Sequence, residues 1–157
     1  MKITLFCVGK TDDKHILEGI EVYNKRLKHY INFEIIIIRD IKNSKNLTEQ
    51  QQKAKEAEIL LKNISNLDYV ILLDERGKEF SSVGFSNFLE KQMLSSVSQL
   101  VFFVGGPYGF DDSIYQRANF KISLSKMTFS HQMIRMFFVE QLYRAFTILR
   151  NEPYHHE

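Results

Sequence analysis

The sequence has one cysteine in 157 residues, no Trp and no long apolar run. A single thiol cannot form an internal disulfide, so Cys7 favours a reducing compartment, and its apolar surroundings predict a buried, inert side chain. No apolar run approaches the ~20 residues that a membrane-spanning helix needs. Met1–Thr4 leads directly into a strand-like segment rather than a secretion signal. We therefore expect a cytoplasmic protein that does not enter a membrane.

The chain also lacks a large excess of charge, since its formal net charge is +2. Bulk charge therefore does not indicate a nucleic-acid partner. Residues 1–112 carry 15 basic and 16 acidic side chains, whereas residues 113–157 carry six basic and three acidic ones. A polyanion would prefer the C-terminal third, although ordinary solvated surface charge explains the same distribution.

Several motifs of known chemistry are missing. The five histidines have no metal-ligand spacing and no supporting cysteine, so we expect no metal. There is no nucleophile elbow. The glycine-rich segment Gly105–Gly109 is neither a phosphate-binding P-loop nor a dinucleotide-binding fingerprint, because the required spacings are absent.

What is present is a regular alternation of apolar runs with amphipathic stretches, which predicts an α/β fold with a mostly parallel sheet flanked by helices. At 157 residues the chain suits a single domain, 1–157, without a linker or repeat. The four consecutive isoleucines at 35–38 favour a strand covered on both faces. Helix caps are expected at Thr48, Ser82, Asp111 and Ser130. The predicted strands are 3–8, 33–38, 69–73, 100–104 and 120–124.

The last predicted helix, from Ser130 to about Arg150, is apolar on more than one face. A helix that packs on a single sheet shows a narrower stripe. The excess could contact a second subunit or lie in a deep core, and the pattern alone does not separate the two.

Three loops at predicted strand ends are candidates for a site, because α/β folds bind ligands at the carboxyl ends of parallel strands. They are Leu73–Lys78, Gly105–Gly109 and Ser125–Ser130, the last followed by His131. Each could equally be a plain turn, and the glycines would then serve positive φ angles. The C-terminal Tyr154 and His155 could act in proton transfer or base stacking, or could form a frayed terminus.

These segments, in this order, resemble the ribosomal large subunit methyltransferase H family of pseudouridine N3-methyltransferases, which belongs to the SPOUT superfamily. The resemblance covers the whole chain and is most specific from Gly105 onward. It is carried by the start Met1–Ile3 with Val8–Lys10, the pair Leu73–Asp74 with Gly77–Lys78, the loop Gly105–Gly109, the stretch Leu124–Phe129 with His131, the triplet Tyr143–Ala145 and the terminal Pro153–His155. Ser130 departs from the family pattern, where many relatives have proline.

The resemblance implies a C-terminal deep trefoil knot, an S-adenosyl-L-methionine site in that knot, and a homodimer built on the knotted helices. It implies methylation of N3 of a pseudouridine in large-subunit (23S) rRNA within the assembled ribosome. The implied cofactor-binding residues are Leu73, Gly105, Gly106, Leu124, Ser125, Lys126, Met127, Thr128 and Phe129.

The same resemblance implies that His131, Tyr154 and His155 remove the N3 proton or position the base, and that Arg144 holds RNA. An arginine suits bidentate contacts to phosphate or base. Two other classes of function stay open: another nucleotide-binding α/β enzyme that uses the glycine loop, and a non-catalytic RNA-binding protein of the same fold.

Overall fold

A computed structural model describes residues 1–39, 41 and 44–156. Five strands form one parallel sheet in the order β2-β1-β4-β3-β5. The strands are β1 (Lys2–Val8), β2 (Asn32–Ile38), β3 (Tyr69–Glu79), β4 (Gln99–Val104) and β5 (Phe120–Ser123). The helices are α1 (Lys14–Leu27), α2 (Glu49–Lys62), α3 (Ser82–Leu94), α4 (Asp112–Arg117) and α5 (His131–Leu149), with a short 3-10 turn at Ser44–Asn46. The predicted α/β class with a parallel sheet is confirmed.

Each face of the sheet is covered by its own set of helices. On one face α1, α3 and α5 enclose a core that includes Ile3, Leu5 and Cys7 of β1. On the other face α2 and α4 enclose a smaller core that includes Phe6 and Val8 of the same strand. This alternation is the two-residue period expected of a strand buried on both sides. Burial raises the pKa of the Cys7 thiol to about 12, in agreement with the expected inert cysteine.

The isoleucine strand β2 is an edge strand of the sheet, and it has side chains in the cores on both faces, as expected. Phe33 and Ile35 pack in the core under α1, α3 and α5, and Ile36 and Ile38 pack in the core on the other face. Ile37 nevertheless keeps 39 % of its surface exposed. The polar stretch predicted to follow runs from Lys42 to Glu58. Its described part, from Ser44 onward, contains the 3-10 turn Ser44–Asn46 and then the start of α2. Its first residues, Lys42 and Asn43, lie outside the described residues.

The helix starts follow the capping residues closely. Thr48 forms a reciprocal capping box with Gln51, as predicted, and Asp111 and Ser130 cap α4 and α5. Ser81, rather than Ser82, caps α3, because its hydroxyl accepts the Gly84 amide at 3.0 Å. The predicted cap was therefore wrong by one residue.

The largest departure is the length of β3, which was expected to end at Leu73 but continues to Glu79. Its pairing with β5 shifts register between Leu73 and Lys78, so residues expected in a turn form a bulged strand. The bulge brings Gly77 onto the backbone of β5. A Cβ atom at Gly77 would lie 2.5 Å from the carbonyl carbon of Ile122.

Helix α5 crosses the sheet and is held at its start by the loop after β1. The buried guanidinium of Arg135 donates to the carbonyls of Val8 and Gly9 and to the hydroxyl of Thr11, at 2.5 to 2.9 Å. The Gln132 amide oxygen accepts from the Asp12 and Asp13 amides. These bonds place the first turn of α5 beside the carboxyl end of β1. The knot implied by the resemblance stays a prediction.

We predict that Gly77→Ala destabilises the protein, because the added methyl group must displace the Ile122 backbone rather than a mobile side chain. The expected loss in the free energy of unfolding is about 1–3 kcal/mol, measured by denaturant unfolding. Gly84→Ala is the matched control, since its Cβ would meet the Ser81 hydroxyl at 3.3 Å and α3 favours alanine over glycine. Equal stability of the two variants would contradict the close approach of β3 and β5.

Candidate functional site

A cavity of about 710 Å³ lies where the bulge of β3 meets the carboxyl ends of β4 and β5. Its size is typical of a small-molecule site, for which roughly 300–1,000 Å³ is usual. All three segments singled out in the sequence contribute to its wall. They converge because Leu73 is in register with Val104 and Ile122, so the bulge that follows Leu73 lies beside the ends of the neighbouring parallel strands.

The glycine loop after β4 forms one wall. Gly109 has φ +77°, and its amide donates to the carbonyl of Gly106 at 3.1 Å, so the segment is a tight turn with one positive φ angle. Gly106 serves a different purpose, because a Cβ there would lie 2.9 Å from a carboxylate oxygen of buried Glu56. The glycine therefore lets the loop backbone lie directly on α2.

The loop between β5 and α5 forms the opposite wall. The hydroxyl of Ser125 accepts the Met127 amide at 2.9 Å, and its carbonyl accepts from the Ser123 hydroxyl. Met127 is 74 % exposed, and the ring of Phe129 packs edge-on against Phe137 with centroids 4.9 Å apart. The loop thus presents backbone groups and apolar side chains to the cavity at the start of a helix.

The third wall is polar and comes from the end of β3 and from α4. The hydroxyl of Tyr115 donates to the carboxylate of Asp74 at 2.5 Å. Burial, and then this hydrogen bond, raises the pKa of Tyr115 to about 12. Arg76 and Lys53 add positive charge to the lining. The cavity therefore offers both an anionic and a cationic side to a ligand.

Most of the residues implied to bind the cofactor line this single cavity. They are Leu73, Gly105, Gly106, Leu124, Ser125, Met127, Thr128 and Phe129. Lys126 does not line it and is exposed. His131 does line it, as the first residue of α5.

Arg144, Tyr154 and His155 lie elsewhere in the chain's own fold, farther along α5. The Arg144 guanidinium forms an ion pair with Glu140 at 2.5 Å and stacks 4.7 Å from the centre of the Tyr154 ring. His155 Nδ1 lies 3.4 Å from Arg144. The three residues therefore form one cluster, but they do not line the cavity of their own chain.

The tail is tied down rather than frayed. The Tyr154 hydroxyl lies 3.2 Å from the Tyr23 hydroxyl and donates to Glu140 at 3.0 Å. Burial and these two hydrogen bonds raise the pKa of Tyr154. Glu140 also strengthens the hold of Arg144 on its proton, so the pKa of that guanidinium is raised too. Tyr154 is consequently a neutral hydrogen-bond donor at ordinary pH.

Sequence reasoning missed Tyr115 and Arg135. Tyr115 lies in a short helix with no motif, and only the three-dimensional structure brings it to Asp74. Arg135 was counted as one basic residue among several, yet it is 1 % exposed. Its position among apolar residues of α5 was the available signal, since an arginine on such a face is buried only with partners.

Two classes of feature are absent from residues 1–39, 41 and 44–156. No three side chains of the His, Cys, Asp and Glu types come together as a metal site there. Within the same ranges, no helix combines the length and apolarity needed to cross a bilayer.

The raised pKa of Tyr115 predicts a pH dependence of stability. The group contributes stability below pH 10, where the phenol is protonated in both states, and loses it as the pH rises toward about 12. Tyr115→Phe should therefore lose about 1–2 kcal/mol of unfolding free energy at neutral pH, and the difference from wild type should shrink above pH 10. Denaturant unfolding across this pH range measures both.

Asp74→Asn separates the two causes, because it removes the charged acceptor and leaves the phenol buried. Its Tyr115 should ionise at lower pH than in wild type, but still above the usual value, in a spectrophotometric tyrosine titration. An unchanged titration would contradict the Tyr115–Asp74 contact.

The comparisons with known proteins agree with this geometry. Residues 1–155 match the family described as "Predicted SPOUT methyltransferase". The chain is 59 % identical to the ribosomal RNA large subunit methyltransferase H of Christiangramia forsetii, with 99 % of each chain covered. It is 61 % identical to the protein of that name from Flavobacterium johnsoniae and 60 % identical to that from Parabacteroides distasonis, each over the full length of both chains. The chain belongs to the SPOUT methyltransferase family.

Proposed function

We propose that this protein, as one domain over residues 1–157, uses S-adenosyl-L-methionine to methylate N3 of a pseudouridine in large-subunit rRNA of the assembled ribosome. The observation that carries the proposal is the cavity, which is lined by eight of the nine residues that the family resemblance assigns to the cofactor. The chain is 59 to 61 % identical, over nearly its full length, to proteins named as rRNA methyltransferases, and this supports the substrate class. A substrate in the ribosome places the enzyme in the cytoplasm.

The cavity suits the proposed cofactor chemically. Backbone amides and carbonyls of the loops at 105–109 and 124–130 offer hydrogen bonds to a nucleoside, and Leu124, Phe129 and Ile134 offer apolar contact to its ring. Asp74 supplies an acceptor for hydroxyl or ammonium groups on the same wall. When bound there, S-adenosyl-L-methionine supplies an electrophilic methyl group on a sulfonium.

The chain's own contribution is position and proton handling. Holding the N3 nitrogen in line with the methyl group makes the reaction effectively unimolecular, which lowers the entropic part of its barrier. The imide must lose its N3 proton before or during attack, and His131 is the residue of the proposed set that faces the cavity. We therefore assign proton acceptance or base orientation at the cavity to His131.

Tyr154 has a different role in this proposal. Its raised pKa disfavours service as a base at neutral pH, so it stacks on or donates a hydrogen bond to the target base. Arg144 stacks on its ring and offers a cationic contact to RNA, and His155 contacts Arg144. Since the tail does not reach its own cavity, we propose that it serves the cavity of a second subunit.

A homodimer is supported by apolar surface on the helices that would form it. Leu17 and Val22 of α1 are 43 % and 46 % exposed, and Met127 and Phe129 are exposed beside α5. Met133 and Phe137 of α5 are only half-buried. Apolar side chains left exposed on these segments are what a second subunit would cover. A knotted C-terminal segment, with α5 in the interface, completes the proposed arrangement.

Gly105→Val tests the cofactor site, because its side chain would project from the backbone into the wall of the cavity. Its Cβ would lie 3.3 Å from the Phe110 ring, so the loop shifts slightly while the fold is retained. Calorimetry should show S-adenosyl-L-methionine binding to wild type, no binding of ATP or NAD, and a loss of at least ~100-fold in the variant's affinity, equivalent to about 2.7 kcal/mol. Gly84→Val is the control, with a similar 3.3 Å contact on α3. Unchanged affinity in folded Gly105→Val would contradict the site.

Deleting residues 153–157 tests the role of the tail. Cofactor binding should persist, and light scattering should still give about twice 18.5 kDa. Methyl transfer to ribosomes that lack the modification should fall at least ~100-fold, the lower end of what positioned acid–base groups contribute. The modified nucleoside is measured by mass spectrometry of the rRNA.

Tyr154→Phe divides the tail's effect into its two parts. Near-normal activity would assign the effect to stacking, and a large loss would assign it to the hydroxyl. If the truncated enzyme methylates ribosomes at the wild-type rate, the tail has no part in the reaction.

A further inference from the structure

The ends of α1 and α5 that lie away from the cavity form a surface of tyrosines and cations to which no role has yet been given, beside the Arg144–Tyr154–His155 cluster. Tyr23 and Tyr143 join it to that cluster through their contacts with Tyr154. We define the tyrosine–arginine surface as Tyr23, Tyr30, Tyr143, Arg26 and Arg150 with the flanking Lys25 and Lys28. Its residues Tyr143 and Arg150 lie about 18 and 29 Å along the helix axis from His131, given the 1.5 Å rise per residue of a helix. The surface is therefore separate from the cavity of the same chain.

The tyrosines form a continuous aromatic base. The Tyr143 ring lies 5.8 Å from that of Tyr23 and 5.7 Å from that of Tyr30. Arg26 stacks on this base, with Cζ 5.5 Å from the centres of the Tyr23 and Tyr143 rings. Arg150 stacks on Tyr30 at 4.3 Å. The two guanidinium groups thus lie beside aromatic rings while both residues stay exposed.

The cations of this surface form no ion pair among residues 1–39, 41 and 44–156. Lys25, Arg26, Lys28 and Arg150 are all exposed. Of the acidic side chains in these segments, Glu140 pairs with Arg144, Glu152 accepts the Tyr30 hydroxyl, and Glu21 is exposed on α1. Helix C-termini attract cations, but this accounts for where the charges lie and not for the stacking of both arginines.

From these contacts we infer that the tyrosine–arginine surface binds the phosphate backbone of structured RNA, outside the target nucleotide. A guanidinium beside a ring can still direct N–H groups at phosphate oxygens, because arginine has five of them. Arg150 Nη2 donates to the carbonyl of His29 at 3.2 Å, and its remaining N–H groups are those that would contact phosphate. Such contacts set register and affinity without reading sequence. The inference rests on the proposed rRNA substrate and names which surface holds that RNA.

Arg26→Gln/Arg150→Gln tests the inference, with Lys55→Gln/Lys91→Gln as the control. The control removes the same charge from exposed positions on α2 and α3. The probe is purified ribosomes lacking the modification, and affinity is measured across a series of salt concentrations. Losing two phosphate contacts should weaken binding about 10-fold or more and reduce the slope of log K against log salt by about 1–2. The control should match wild type.

A second readout separates RNA binding from other roles. The Arg26/Arg150 variant should raise KM for ribosomes and leave kcat and S-adenosyl-L-methionine affinity unchanged. Unchanged ribosome affinity and salt slope would overturn the inference. Conversion to a monomer would also overturn it, since the surface would then bind a second copy of the chain.

The proposed function fails separately. Suppose that the wild-type protein does not methylate the rRNA but binds ribosomes with the predicted salt slope, and that the Arg26/Arg150 variant loses that binding. The assignment of the surface to RNA would then stand, and the proposed methyl transfer would be wrong. Crosslinking of the protein to ribosomes through Lys28 is a further test. A crosslink to a ribosomal protein instead of rRNA would assign the surface to a protein partner and overturn the inference.

Discussion

The buried guanidinium of Arg135 ties the start of α5 to the end of β1. Its hydrogen bonds to Val8, Gly9 and Thr11 satisfy carbonyl and hydroxyl groups in the loop that follows the strand. An arginine buried to this extent is stable only with such partners. Because α5 must begin there, the chain leaving β5 has to cross the ends of β3 and β4. The cavity wall at 124–130 follows from that constraint.

The periodicity of the sequence was sufficient to predict the elements but not their neighbours. Alternating apolar runs predicted all five strands, and the Thr48–Gln51 capping box located the start of α2. The strand order was not predictable, since pattern alone does not say that β4 lies between β1 and β3. The extension of β3 also escaped prediction, because Asp74–Lys78 is a charged segment that reads as a turn unless β5 is present to pair with it.

For the site, sequence and resemblance supplied the loops, and the structure supplied their partners. The convergence of the loops follows from parallel strands and could be predicted. The Tyr115–Asp74 hydrogen bond joins α4 to β3, and no local pattern connects residues 41 positions apart. The same holds for the tyrosine–arginine surface, where Arg26 from the N-terminal half meets Tyr143 from the C-terminal third. The charge count along the chain could not predict this contact, because Lys25, Arg26 and Lys28 belong to a segment with balanced charge.

The account depends most on the claim that one subunit's tail completes the other subunit's cavity. Subunit mixing tests this directly, with Gly105→Val chains and chains truncated before Pro153, each inactive alone. After random exchange, half of the dimers are mixed, and each mixed dimer has one intact cavity facing one intact tail, so methylation of ribosomes should return to about a quarter of the wild-type level. A mixture that stays inactive despite verified exchange would show that cavity and tail must belong to the same chain, and would contradict the account.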